Sequence, residues 1–446
     1  MLEQYQAHFK ALGYTEPTAI QTAVYGPLAG DQNVLGLAPT GSGKTVAFTL
    51  PALANLLPGD GTQLLVLEPS QELAIQTSRV MRDWAKLLDL KVAALTGGAN
   101  VKRQTERLKK RPEVVVATPG RLLNLIQDRK LKTHLVSLII IDEADDLLTG
   151  ETLETVRAVA QAAPADVQLG FFSATDTPIL HELEKWFGQT VERIDVREQD
   201  QTQGPVQHGL LQIGMGKRDQ MLKRLLAIPN FRALVFFKQA NTLKHTAAKF
   251  YHDHVSATSL TSDLRQVQRE KALQDFRQGR TRLLLTTDVA ARGLDIPKLP
   301  AVINYDLPST VNEYVHRAGR TGRMGEPGQV INLGDDHDLR DLKKLLRETE
   351  YQLVPIYFQN KALTTERPVA VKPQEKKPES ATATTATLSG QPAVKTQAPR
   401  ANGATGQPAK VTEPAAAKKK SKKHKNRHNK NKGMRKKWRD RDAAHD

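Results

Sequence analysis

The chain has 446 residues, a net charge of +17 and no cysteine. That length holds two or three domains with their own cores, and the absence of thiols excludes disulfides, thiolate zinc sites, iron–sulfur clusters and a cysteine nucleophile. No apolar run approaches the roughly 20 residues that cross a bilayer, and the N-terminus lacks a basic-then-apolar leader, so a soluble cytoplasmic protein with no membrane partner is expected.

Along residues 1–200, helical patterns alternate with short apolar runs. The runs are Val34–Leu37, Gln63–Leu67, Val92–Leu95, Val114–Ala117, Leu138–Ile141 and Gln168–Phe172. Such alternation predicts βαβ units on a parallel sheet. Residues 207–360 repeat it with Gln207–Ile213, Ala233–Phe237, Ala257–Leu260, Thr281–Thr286, Ala301–Tyr305 and Gly328–Leu333. Each block has strands enough for its own sheet, with polar Arg197–Gly204 as the linker. Residues 367–417 are rich in Ala, Thr, Pro, Lys and Gln and cannot bury enough apolar surface to offset ordering entropy. Between Lys418 and Arg439 stand 13 Lys or Arg and no acid. The excess charge therefore sits on a disordered tail, 367–446, and favours a polyanionic partner.

Two motifs carry chemistry on their own. Ala38-Pro-Thr40-Gly41-Ser42-Gly43-Lys44-Thr45 lies between an apolar run and the helical pattern Val46–Leu57. The glycines let backbone N–H groups curl around phosphates, Lys44 reaches the β- and γ-phosphates, and Thr45 binds Mg²⁺. Leu138–Ile141 is followed by Asp142-Glu143-Ala144-Asp145, which puts acids at the carboxyl end of a buried strand. Asp142 is expected to hold Mg²⁺ and Glu143 to orient or deprotonate the attacking water. Asp145 and Asp146 also read simply as acids in a helix's first turn.

Asp142-Glu143-Ala144-Asp145 spells the signature of DEAD-box RNA helicases, and further stretches resemble that family's motifs in order over residues 9 to about 345. Gly13-Tyr14-Thr-Glu16-Pro-Thr-Ala-Ile-Gln21 resembles the adenine-reading Q motif. Pro69-Ser-Gln71-Glu-Leu-Ala, Thr96-Gly97-Gly98 and Thr118-Pro-Gly-Arg121 resemble RNA-contacting motifs. Ser173-Ala-Thr175 resembles the motif linking ATP state to RNA binding. Gln266 and Arg269, Thr287-Asp288, and Arg292-Gly293-Leu-Asp295 resemble motifs of the second half, and His316-Arg-Ala-Gly-Arg320-Thr-Gly-Arg323 the motif with the arginine fingers. The resemblance implies two tandem RecA-like α/β domains ahead of the basic tail. It implies RNA-stimulated ATP hydrolysis coupled to local unwinding of short duplexes or remodelling of RNA–protein complexes. Gln21, residues 40–45, Asp142 and Asp295 would bind ATP with Mg²⁺; Lys44, Glu143, Arg320 and Arg323 would be catalytic. Pro69, Gly97, Gly98, Thr118, Arg121 and Thr287 would contact RNA, and Ser173, Thr175 and His316 would couple the domains.

Gln71 stands where the family usually has Arg, Glu16 at an often basic position, and Ser262 where Gly is common. The chain starts too near the Q motif for the family's upstream aromatic, which leaves Tyr5 or Phe9 as substitutes. The chain looks like a bacterial member of the cold-shock group; ribosomal precursors and RNA-decay complexes are compatible partners. An ATP-switched RNA clamp or annealer and a DNA helicase are the competing functions.

Overall fold

The strands form from uninterrupted apolar runs because both faces of each sheet are covered. A computed structural model describes residues 3–97, 101–291, 294, 296 and 298–368. The first lobe has β1 (Val34–Leu37), β2 (Leu64–Leu67), β3 (Val92–Leu95), β4 (Val114–Ala117), β5 (Leu138–Ile141), β6 (Gln168–Ser173) and β7 (Glu192–Asp195). They make one sheet in the order β3-β4-β2-β5-β6-β1-β7, parallel at every pairing. Successive residues point to opposite faces. Leu64, Val66, Val116 and Ile140 join one core, shared with the helices at Ala19–Ala29, Lys44–Ala54 and Gln71–Ala85. Leu65, Leu67, Val115 and Ile141 join the other, under the helices at Pro119–Gln127 and Gly150–Gln161.

The second lobe has β8 (Val206–Gln212), β9 (Ala233–Phe237), β10 (Ala257–Leu260), β11 (Leu283–Thr287), β12 (Ala301–Asn304), β13 (Gly328–Gly334) and β14 (Leu353–Pro355). Their order, β10-β11-β9-β12-β13-β8-β14, repeats the first sheet strand for strand. A small antiparallel hairpin, β15 (Tyr357–Gln359) and β16 (Ala362–Thr364), follows. Every run expected to be a strand is one, within a few residues at the ends. The expected linker leaves β7 and reaches β8 after Gly204 N–H bonds the Gly322 carbonyl. The expected tail lies, from residue 369 on, outside the described residues. No helix among those described is long and apolar enough to cross a membrane.

Tyr5 and Phe9 are corrected by the structure as substitutes for an upstream aromatic. They are 0 % and 4 % exposed and pack against Trp84, with ring centroids 5.6 and 6.3 Å away. Burying such rings stabilises the lobe by about 2–3 kcal/mol each, which is why the short N-terminal helix Glu3–Ala11 turns them inward. Half-buried Tyr14 packs on Phe9 at 4.9 Å.

Candidate active site at the carboxyl edges of the sheets

Strand order divides the carboxyl edge of the first sheet in two. The loops after β3, β4 and β2 are neighbours and carry Gly97, Thr118 and Pro69. Those after β5, β6 and β1 are neighbours and carry Asp142, Thr175 and residues 38–45. Open α/β sheets bind ligands at this edge.

The 38–45 loop is a phosphate cradle by geometry as well as spacing. Gly41 and Gly43 take φ of +90° and +89°, and Gly43 caps the Lys44–Ala54 helix. A side chain at Gly43 would also strike Gln21, because a Cβ there lies 2.5 Å from Gln21 Nε2. Gln21 is buried; its amide donates to the Gly43 carbonyl at 3.4 Å and accepts from Thr18 N–H at 3.2 Å. The predicted adenine reader is thus seated against the phosphate loop. Lys44 Nζ donates to the Ala38 and Pro39 carbonyls at 2.9 and 3.1 Å. The buried hydroxyls of Thr40 and Ser42 have no hydrogen-bond partner among the described residues. Unpaired hydroxyls on a glycine loop at a helix N-terminus fit phosphate oxygens.

Asp142 is buried, and its Oδ1 accepts from the Glu143 backbone N–H at 2.9 Å. Burial, then the Glu143 charge, lifts its carboxyl to about 7 against the pull of Lys44. Glu143 sits in the left-handed region with φ +48°, at the cap of the short Ala144–Leu147 helix. Its Oε2 is buried without a partner among the described residues. Glu68, at the end of β2, is wholly buried; burial and then the Asp142 charge hold its carboxyl well above the usual range. The sequence reading missed Glu68, although an acid directly after an apolar strand is the same signal that identified Asp142.

Asp145 joins the lobes. Its Oδ2 accepts from the Thr175 hydroxyl and from His316 Nε2, the latter at 2.8 Å. Burial alone would raise its carboxyl, but the His316 bond and charge and the Thr175 and Ser173 hydroxyls hold it below the usual range. Burial would lower His316; the bond to Asp145 and the Glu143 charge raise it instead. Ser173 Oγ accepts from the Thr175 N–H at 3.1 Å, which fixes the Thr175 turn. Asp145 does lie in a helix's first turn, but it also holds the lobes together, a role the sequence reading did not give it.

The Val311–Ala318 helix ends at Gly319, so Arg320 and Arg323 sit on the turn beyond it. Gly319 faces the first lobe so closely that a Cβ would lie 1.6 Å from Thr40 Oγ1. The Arg323 stem covers Gly41, and its Nε donates to the Gly319 carbonyl at 2.7 Å. Arg320 Nε donates to the His316 carbonyl at 3.0 Å. Arg317 turns the other way and pairs with Asp288 at 2.6 Å inside its own lobe. A cavity of about 200 Å³ is lined by Glu143, Asp145, His316 and Arg320. Glu143, Asp145 and His316 each place one ligand-capable atom within 4.8 Å of the others.

The predicted RNA residues are partly gathered. A cleft of about 980 Å³ is lined by Pro69, Gln71, Glu72 and Thr118 of the first lobe and Ser262, Arg265, Arg269 and Val289 of the second. Gly97, Arg121 and Thr287 are not among its lining residues, though Gln71 Nε2 lies 3.4 Å from where a Gly97 Cβ would be. An ion pair missed in sequence, Arg269 to Glu72 at 2.8 Å, crosses the cleft. Gly98, Arg292, Gly293 and Asp295 lie outside the described residues, as does the Gln266 side chain.

Comparison with known proteins agrees with this geometry. Residues 18–183 match the DEAD/DEAH box helicase family and residues 217–325 the helicase conserved C-terminal domain. The probable ATP-dependent RNA helicase YfmL of Bacillus subtilis is 37 % identical over 349 residues, 78 % of this chain and 93 % of that protein. The chain belongs to the DEAD-box RNA helicases. The DEAD-box ATP-dependent RNA helicase CshC of Bacillus cereus is 33 % identical over 344 residues, covering 77 % of this chain and 88 % of the relative. Saccharomyces cerevisiae Dbp5 bound to RNA and ADP BeF3 superposes with a TM-score of 0.71 at 26 % identity, over 80 % of this chain and 94 % of Dbp5. The two sheets are tandem RecA-like domains, and the chain is an ATP-dependent RNA helicase.

Proposed function

We propose that ATP and RNA draw the two lobes together, and that closure completes the catalytic set. In this reading the 40–45 loop holds the phosphates, Lys44 reaches the β- and γ-phosphates, and Gln21 reads adenine. The orphaned Thr40 and Ser42 hydroxyls support a phosphate there. Hydroxyl and carboxylate oxygens are the donors Mg²⁺ takes, and Thr45 and Asp142 would hold it. The ion would neutralise developing phosphate charge. Glu143 orients or deprotonates the attacking water, and Arg320 and Arg323 reach the γ-phosphate from the second lobe. Pro69, Gly97, Gly98, Thr118, Arg121 and Thr287 hold RNA through its backbone, and Asp295 contacts the nucleotide.

The observation that carries this reading is Asp145 bonded at once to Thr175 in one lobe and His316 in the other. It ties the acids that serve ATP to the motif expected to couple the lobes. The working units are residues 1–200, 207–360 and a basic RNA tether, 367–446. Similarity to the bacterial helicases CshC and DeaD supports a role in cold adaptation; the reading places the protein in the cytoplasm, on ribosomal precursors or with RNA-decay complexes.

Glu143→Gln tests it. The amide keeps the shape but cannot take a proton, so RNA-stimulated turnover should fall by at least about 10²-fold while ATP-dependent RNA binding persists. Turnover at the wild-type rate would overturn the assignment.

A further inference from the structure

The two sheets share one strand order but differ at one place in their cores. β5 and β12 hold the same position in their sheets. β5 ends on Ile141, which pairs with Phe171 of β6, and both are buried. β12 ends on Asn304, which pairs with Asn332 of β13, and both amides are 0 % exposed. An apolar pair fills this place in the first lobe. Burying two amides in the second is unfavourable unless their hydrogen bonds are made.

Those bonds are made, and they run in one direction. Asn332 Nδ2 donates to the Gly209 carbonyl of β8 at 3.0 Å, and Asn304 Nδ2 donates to Asn332 Oδ1 at 2.7 Å. Asn304 Oδ1 accepts from Arg317 Nη1 at 2.9 Å. A backbone carbonyl only accepts and a guanidinium only donates. The two ends of the chain therefore fix both amides and present one oxygen to Arg317. The Asp306 carbonyl also accepts from Nη1, at 2.8 Å, and Asp288 takes Nε and Nη2 at 2.6 and 2.7 Å. Arg317 lies on the inward side of the Val311–Ala318 helix with Tyr314, whose hydroxyl meets His208 Nδ1 at 2.7 Å. His316, the residue before Arg317, leaves the helix toward Asp145 of the first lobe.

We propose that Asn304 is a positioning residue for the contact between the lobes: backed by Asn332, it holds the Arg317 guanidinium, fixes the rotation of the Val311–Ala318 helix and so aims His316 at Asp145. A side chain 2–3 Å out of place loses a hydrogen bond outright, so a small rotation of this helix suffices to uncouple the lobes.

This inference rests on the reading of His316 as a coupling residue, and the test separates the two. Full-length Asn304→Leu, His316→Ala and the double variant are compared by fluorescence anisotropy of single-stranded RNA, with and without a non-hydrolysable ATP analogue. Asn304→Leu should cut the analogue's enhancement of RNA affinity at least about ten-fold. RNA affinity without nucleotide, and affinity for a fluorescent ATP analogue without RNA, should stay within about 3-fold of wild type. Because Asn304 acts through His316, the double variant should lose no more than the worse single variant. Thermal melting checks folding, and Asn304→Ala replaces the leucine variant should that one be unfolded. An intact enhancement in a folded variant overturns the proposal, as do additive losses in the double variant or an equal loss of both nucleotide-free and RNA-free binding. Failure of both variants to fold makes the amide pair a structural prop and overturns it too. If His316→Ala leaves the enhancement intact, the coupling reading has failed; if it cuts the enhancement while Asn304→Leu does not, only the inference about Asn304 has failed.

Discussion

His316→Ala removes the bond that joins the lobes at Asp145. The Asp145 side chain is 0 % exposed and that of His316 18 %, with 2.8 Å between the bonded atoms. A hydrogen bond to a charged group contributes about 1.5–3 kcal/mol, and stripping one partner from a buried pair costs roughly 3–5. The lower range applies here, because lobes that open let water reach Asp145. A loss of about 2–3 kcal/mol disfavours the closed state roughly 30- to 150-fold. Fluorescence anisotropy of single-stranded RNA, with and without a non-hydrolysable ATP analogue, measures this. The analogue's enhancement of RNA affinity should fall by that factor, while RNA affinity without nucleotide stays unchanged. The charged part of the bond carries a pH sign. His316 is raised above its ordinary value, so its contribution is fully present below about 6.5 and fades as pH rises through the raised value. Wild-type closure should therefore weaken toward alkaline pH, and the alanine variant should lose that slope. An enhancement that survives His316→Ala intact would refute the argument that this bond couples the lobes.

Three other perturbations follow from the same geometry. Gly319→Ala places a Cβ 1.6 Å from Thr40 Oγ1; RNA-stimulated ATPase should drop at least about ten-fold through steric blockage of closure, with nucleotide binding to the first lobe retained in a direct binding assay. Gln71→Arg adds a cation to the cleft beside Gly97; RNA affinity should rise and the log–log salt dependence steepen by about 0.7 for single strands. His208 is buried against Tyr314 at 2.7 Å, and burial pushes its imidazole down to about 4. It folds neutral, so stability is lost as pH falls from about 6.5 toward 4, by at most about 3 kcal/mol. Urea denaturation between pH 7.5 and 4.5 should show that slope in wild type and a flatter one in His208→Gln.

Patterning made the sheets legible because their strands are buried on both faces and read as apolar runs. The strands it missed lack that signature. β7 reads Glu-Arg-Ile-Asp at an exposed edge, and β14 is three residues ending in proline. Pairing to a neighbour, not hydrophobicity, makes them strands. The phosphate loop and the acids after β5 were legible because spacing implies geometry there. Asp145 was not, since its partner stands 171 residues away in the other lobe. Arg317 shows the same limit from the other side. It is the next residue after His316, yet it pairs inside its own lobe with Asp288 and the Asp306 carbonyl. The helix's rotation turns His316 toward the first lobe and Arg317 into its own.

The duplicated strand order sharpens that limit. In the second lobe the chain leaves β8, the counterpart of β1, through Gly214-Met-Gly216-Lys217, the same spacing as Gly41-Ser-Gly43-Lys44. By spacing alone it would be a second phosphate loop. Gly214, however, has φ −70°, and Gly216 is not in the positive region either. Lys217 is exposed where Lys44 is buried. Arg218, in the place of Thr45, is buried and paired with Asp306 and Asp338 at 3.3 and 2.7 Å. An arginine anchored to two carboxylates cannot serve a Mg²⁺ ion, and a loop without left-handed glycines does not gather its N–H groups around an anion. In the mechanism proposed above, the second lobe offers ATP its cations from another place, the turn after Gly319. That turn touches the first lobe's loop at Thr40 and Gly41, so in the proposed mechanism the contact that supplies the arginines is also the contact that closes the cleft.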